Sequence, residues 1–194
     1  IILYVSAVME MKSSLGVIVA APTAGACGTL PGAIIGAGRS LAATEGEIIK
    51  AMLTAGLIGV FIAGQSTFAA EEAGCQAECG SASGMAAAGL VHLAGGNLHQ
   101  ALAAASLALQ NSFGMTCDPI ANRVEAPCLG KNVMAAANAL ACANMALAGY
   151  QHLRPRPQHN RIEEGRLVRP ETPRPIVVLL RVPVHDQDRP VPQR

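Results

Sequence analysis

The chain has no tryptophan, two tyrosines and three phenylalanines among its 194 residues. That scarcity removes the aromatic belts that anchor membrane spans and the stacking residues of single-strand nucleic-acid binders. Lysine is nearly as rare, with Lys12, Lys50 and Lys131 standing alone. A formal net charge of +1 without clustered cations does not supply the phosphate neutralisation that DNA or RNA binding needs, so no nucleic-acid partner is expected. Apolar–polar alternation of period two is missing from residues 1–153, which predicts no substantial sheet. A tight Cys-x-x-Cys pair is missing too, and no signal peptide is visible, so the disulfide framework of a small secreted domain is not expected.

What the chain does have is small apolar residues. Apolar side chains make up 51% of it, and there are 20 glycines. Small residues let helices approach closely, so the expected fold class is all-α, a compact Ala/Gly-rich helical domain. An apolar helix is predicted over residues 2–19, followed by a loop from Pro22 to Gly28. Pro31 suits the first turn of a second helix. Thr44 with Glu47 is a capping-box pattern opening a helix to about Ala63, and Asn97 with Gln100 resembles another, running to about Ser112. Residues 82–94 and 130–150 complete the set. Residues 51–70 carry no charge and are long enough to span a bilayer. They also hold three glycines, Gln65, Ser66 and two threonines, so a buried helix bundle is expected there, and no membrane.

Residues 154–194 differ in kind. They contain nine Arg, no Lys and eight of the twelve prolines, with a charge of 9 − 5 = +4 against 5 − 8 = −3 for residues 1–153. Proline at that density prevents continuous helix, and a disordered or irregular tail is expected. Two units follow: a domain over 1–153, and the tail over 154–194, whose composition suits translation in an altered reading frame. The chain opens at Ile1 inside an apolar helix, which reads as an N-terminally incomplete domain.

Three cysteines carry the chemistry: Cys75 in Glu-Glu-Ala-Gly-Cys-Gln, Cys117 in Thr-Cys-Asp-Pro and Cys128 in Ala-Pro-Cys, separated by 117 − 75 = 42 and 128 − 117 = 11 residues. Each lies beside Gly or Pro or one residue away, where backbone can turn around an inorganic centre. Spacing alone leaves three readings open: buried structural thiols, a zinc site, or ligands of an iron–sulfur cluster.

The run from Pro22-Thr23-Ala24-Gly25-Ala26-Cys27-Gly28-Thr29-Leu30-Pro31, through Glu72-Ala73-Gly74-Cys75-Gln76-Ala77-Glu78 and Gly80-Ser81-Ala82-Ser83, to Asn111-Ser112-Phe113-Gly114-Met115-Thr116-Cys117-Asp118-Pro119 and Pro127-Cys128 resembles the iron–sulfur L-serine dehydratases, specifically their catalytic part, the α chain of two-subunit members. The likeness covers about residues 1–153. It implies a [4Fe-4S] cluster on Cys75, Cys117 and Cys128, and deamination of L-serine to pyruvate and ammonia. It also implies a β chain or further N-terminal domain as partner, a homo- or hetero-oligomer, and a cytoplasmic setting.

With that resemblance in view, the loop Thr23, Ala24 and Gly25 would offer backbone N–H groups to the substrate carboxylate, Asn111 would donate its amide to it, and Ser81 and Ser83 would hydrogen-bond substrate or cluster sulfur. Plainer roles stand beside these: a helix–helix turn, a helix C-cap and packing serines. Cys79 and Cys142 are expected to be core residues, and Cys27 a nearby non-ligand thiol. Asp118 and Arg123 are expected to shape the ligand loop. His92, His99 and His152 are the available imidazoles, and none is singled out as the base. A related lyase acting on threonine or cysteine, and a zinc-stabilised helical module without enzymatic activity, are the alternative functions.

Overall fold

The computed structural model describes residues 1–117 and 125–150. The expected tail, His152, Asp118 and Arg123 lie outside the described residues. Within them the chain is helical, with no strand: α1 (Ile2–Ser13), α2 (Thr29–Ser40), α3 (Glu45–Ala63), a single turn α4 (Ala70–Ala73), a π-helical turn (Gln76–Gly80) running directly into α5 (Ser81–Leu93), α6 (Leu98–Asn111) and α7 (Glu125–Leu147).

Both expected capping boxes form. Glu47 N–H donates to Thr44 Oγ1, and the Thr44 N–H donates back to Glu47 Oε2 at 2.7 Å. Asn97 and Gln100 repeat the exchange at 3.0 and 2.9 Å. Each box satisfies two N–H groups that a helix start would otherwise leave unpaired.

The first helix ends early. It was expected to reach residue 19, but it stops at Ser13, where Leu15 adopts φ 59°. Gly16 N–H then donates to Met11 O and Leu15 N–H to Lys12 O, the pair of bonds that closes a helix through a left-handed residue. That position usually holds glycine; here a leucine 96% exposed occupies it. The last helix is longer at its front than expected, beginning at Glu125, with Pro127 in the first turn where a missing N–H costs no helical bond.

α5 is the axis of the domain. Residues 81–91 are all buried, and α3, α6, α7 and α2 pack around them. Its small side chains permit this. A Cβ on Gly84 would lie 2.9 Å from Leu109 of α6, and one on Gly89 would lie 2.9 Å from the Ala51 carbonyl of α3. Leu90 and Val91 are fully buried, each worth roughly 1.5–3 kcal/mol of transfer free energy.

The uncharged stretch 51–70 is only partly the buried helix expected of it. α3 sets Ala51, Ala55, Ile58 and Gly59 inward, while Ile49, Leu53, Leu57, Val60 and Phe61 are exposed along the other side. By length and composition α3 is the one described helix able to cross a membrane.

Candidate cysteine-lined active site

The π turn decides where the key side chains go. Such turns widen the helix by one residue and recur at functional sites. Gly74, separated from it by Cys75 alone, has φ 74° and ψ 180°, a conformation essentially reserved for glycine. A Cβ there would stand 2.9 Å from the Met115 carbonyl. This lets segment 112–117 lie against the turn: Gln76 N–H donates to Met115 O, and Gly114 N–H donates to Gln76 Oε1, both at 2.9 Å. Cys75 and the segment leading into Cys117 are therefore neighbours.

α7 brings the third thiol. Cys128 lies in its first turns, and Lys131 reaches from the next, its Nζ donating to Thr116 O at 2.7 Å and lying 3.6 Å from Cys75 Sγ. Cys75 and Cys128 are 3% and 4% exposed, while Cys117 is exposed. Burial pushes the Cys75 thiol up to about 11, Lys131 opposes this, and the nearby Cys117 and Cys128 thiols add to it. Cys128 is raised by burial and by Glu78 and Cys117, against Lys12 and Lys131.

These three thiols thus share one electrostatic neighbourhood. Among the described residues, though, no three His, Cys, Asp or Glu side chains come close enough to share a single metal ion. A tetrahedral zinc about 2.3 Å from each thiolate draws its sulfurs to within about 4 Å of one another. A cubane binds each thiolate to a different iron and accepts a wider triangle. An all-thiol donor set delivered from three segments, with Cys117 on the open side, suits an iron–sulfur cluster.

Next to the thiols stands the Pro22–Gly28 loop. Among the described residues the N–H groups of Thr23, Ala24 and Gly25 have no acceptor. Thr23 and Gly25 are half-buried and Ala24 is exposed. Thr23 Oγ1 donates to Glu78 Oε1 at 2.7 Å, tying the loop to the π turn. Asn132 ties it to α7: its Nδ2 donates to Gly25 O and Cys128 O, both at 2.8 Å. The loop, the π turn and the start of α7 are locked into one unit, which contains Thr23, Ala24, Gly25, Cys75 and Cys128.

Other expected site residues lie outside it. Asn111 Nδ2 donates to Asn138 Oδ1 at 2.9 Å and to Cys142 Sγ at 3.4 Å. Asn138 is six residues beyond Asn132, about 9 Å along the helix axis. Ser83 Oγ donates to Ala135 O at 2.8 Å and accepts from Asn138 Nδ2 at 3.0 Å, so its hydroxyl joins α5 to α7. Ser81 is buried and borders a cavity of about 440 Å³ with Ile58, Phe61, Gln76, Leu109 and Phe113, which includes none of the three cysteines. His92 and His99 are exposed at the end of α5 and the start of α6.

All six cysteines are free thiols. Cys79 is buried against Ala26, Ala82 and Ala135 and accepts from Asn132 Nδ2 at 3.6 Å; burial raises its thiol well above the ordinary range. Cys27 is buried with its Sγ 3.8 Å from Met9 Sδ. Sequence reasoning passed over Glu78, Lys131 and Asn132. Of these, Glu78 had a signal: an acid three residues after Cys75, in a run otherwise free of charge up to Asp118.

The serine dehydratase alpha chain family profile matches residues 1–163. The chain belongs to that family. The match runs ten residues past the expected boundary at 153. The chain is 44% identical over 140 residues to a probable L-serine dehydratase alpha chain of Bacillus subtilis, covering 72% of this chain and 47% of that one. It is 47% identical over 146 residues to the L-serine dehydratase alpha chain of Peptoniphilus asaccharolyticus, covering 75% and 50%. Against an L-serine dehydratase of Mycobacterium tuberculosis the identity is 42% over 147 residues, 74% of this chain and 32% of the other. The chain spans about half the length of the two alpha chains it matches.

Proposed function

We propose that this chain is the cysteine-bearing part of an L-serine dehydratase, which removes water from L-serine and yields pyruvate and ammonia. One observation supports the reading: Cys75 lies against the segment that leads into Cys117, Asn132 ties Cys128 to the Pro22–Gly28 loop, and among the described residues the N–H groups of Thr23, Ala24 and Gly25 have no acceptor. Family membership supplies the reaction class.

On this reading Cys75, Cys117 and Cys128 hold a [4Fe-4S] cluster. Such a cluster, bound by three thiolates, contributes an iron free of protein ligands and thus a Lewis acid for the substrate hydroxyl. Around it, the chain's own residues bind and orient. The N–H groups of Thr23, Ala24 and Gly25 receive the substrate carboxylate, as successive unpaired amides do for anions. Lys131 sits beside Cys75 and braces the strand of chain leading to Cys117, and its charge offsets that of the thiolates. Asn132 fixes the loop against Cys128. Ser81 and Asn111, held elsewhere, take supporting roles.

L-serine is the substrate, and the alpha-chain designation of the relatives supports a β chain as partner. Six free thiols suit a reducing, cytoplasmic setting. The test is anaerobic reconstitution with iron and sulfide, comparing wild type with Cys75→Ala, Cys117→Ala and Cys128→Ala. Iron bound by wild type and lost in all three variants, with pyruvate formed from L-serine, supports the proposal. Folded wild type that binds no iron sinks it, and 2-oxobutyrate from threonine or sulfide from cysteine as the favoured product reassigns the substrate.

A further inference from the structure

We infer that the outward face of α3 is a self-association surface, on which α3 of a second copy of this chain packs antiparallel. The inference stands apart from the lyase reading and is tested without substrate. A surface helix ordinarily turns charged and polar side chains to solvent. α3 does the opposite. Ile49, Leu53 and Val60 are 51%, 68% and 65% exposed, and with the exposed Gly56 and Ala63 they recur at spacings of 4, 3, 4 and 3 residues. That is the period of a seam that meets another helix. Leu57 and Phe61 flank it and are exposed as well.

Gly56 identifies the occupant. Glycine is unfavourable in a helix interior, and no contact among the described residues requires it there: a Cβ built on Gly56 would meet nothing within 4 Å. In an antiparallel pair the seam positions interleave, so Leu53 lies over the partner's Gly56 and Ile49 over the partner's Val60. Each contact occurs twice about the two-fold axis, and the leucine fills the space that the glycine leaves. A parallel pair would set glycine against glycine and leave that space empty.

Charge supports the same arrangement. α3 carries Glu45 and Glu47 in its first turn and no basic residue in its last. Side chains on a helix lean towards its N-terminus, so in the antiparallel pair Lys50 reaches towards the partner's last turn, where the helix dipole favours a cation. A parallel pair would bring the two acidic first turns together. A membrane surface calls for a basic flank, which α3 lacks beyond Lys50. Five side chains about half to two-thirds exposed form a patch of several hundred Å², and two such patches face to face bury about 1,000 Å², the lower bound of a specific interface.

Sedimentation equilibrium of the full chain, with reductant so that its thiols stay free, tests this. Wild type should form a reversible dimer. Gly56→Leu occupies the open space without touching its own chain and improves helix propensity, so it should fold at least as well as wild type. It should nevertheless raise the dimer dissociation constant by roughly 10- to 100-fold, as overpacking a contact does. Lys50→Glu should weaken the dimer by about 2- to 5-fold, an effect that high salt removes. Wild type that stays monomeric at high concentration overturns the inference, as does a dimer that both variants leave intact. A monomer that floats with phosphatidylcholine vesicles also overturns it and assigns the face to a membrane.

Discussion

Asn132 and Thr29 are joined by both ends of their polar groups inside the core. Thr29 N–H and Thr29 Oγ1 donate to Asn132 Oδ1 at 2.9 and 2.8 Å, and both residues are fully buried. One amide thus holds the start of α2, the loop carbonyl of Gly25 and the first turns of α7. In Asn132→Ala the Thr29 hydroxyl can turn to the Asn132 carbonyl, already 3.3 Å away, but Thr29 N–H and Gly25 C=O lose their partners. Unsatisfied buried groups cost about 1–3 kcal/mol each, so a loss of about 2–4 kcal/mol is expected in urea unfolding. A loss below about 1 kcal/mol would mean that water replaces the amide.

Gly74 sets the angle at which Cys75 meets segment 112–117. Gly74→Ala forces an L residue into φ 74°, ψ 180° and sets a methyl group against the Met115 carbonyl. The expected cost is about 1–3 kcal/mol, with iron uptake reduced along with it. Wild-type uptake in a folded Gly74→Ala chain would show that Cys75 reaches its position without this turn.

Alkaline pH should destabilise the metal-free chain. Burial holds Cys142 up at about 11, opposed by the hydrogen bond from Asn111, and Cys75 up at about 11 as well. An unfolded cysteine ionises near 8.5. Above that value the unfolded chain releases protons that the folded chain retains, so stability is fully present below pH about 8.5 and falls as pH rises towards 11. Urea midpoints across pH 8–11 should decline, and Cys142→Ala should decline less steeply while starting lower. Parallel slopes for the two proteins would show that Cys142 ionises as easily when folded as when unfolded.

The helices were largely legible because their starts carry chemistry in sequence: Thr44 with Glu47, Asn97 with Gln100, and Pro31 in a first turn all sit as read. Helix ends were less so. Leu15 and Ala42 both adopt positive φ, at 59° and 54°, where glycine would have announced the stop. The buried bundle expected over 51–70 failed on one face, since absence of charge does not say which side of α3 has a partner. The candidate cysteines and loop were read from motifs, whereas Lys131 and Asn132 meet them through tertiary contacts more than 50 residues away in sequence, such as Lys131 with Cys75 and Asn132 with Gly25. Asn111 was read from its place in a motif, and its contacts with Asn138 and Cys142 on α7 had no signal in the sequence.

Ser83 separates scaffold from site. Its hydroxyl bonds Ala135 O and Asn138 Nδ2 in a fully buried position, and Asn138 in turn bonds Ala108 O at 3.0 Å and Asn111. That network clamps α5, α6 and α7 above the cysteines without touching any of the three. Ser83→Ala removes one small oxygen and leaves the Ala135 carbonyl and one Asn138 proton short of a partner, at a cost of about 1–3 kcal/mol. Iron content per chain should remain at the wild-type level, and so should L-serine affinity once the folded fraction is matched. Loss of iron at full folding would instead make Ser83 a donor to the cluster's sulfur, and would move the site one helical turn further along α5.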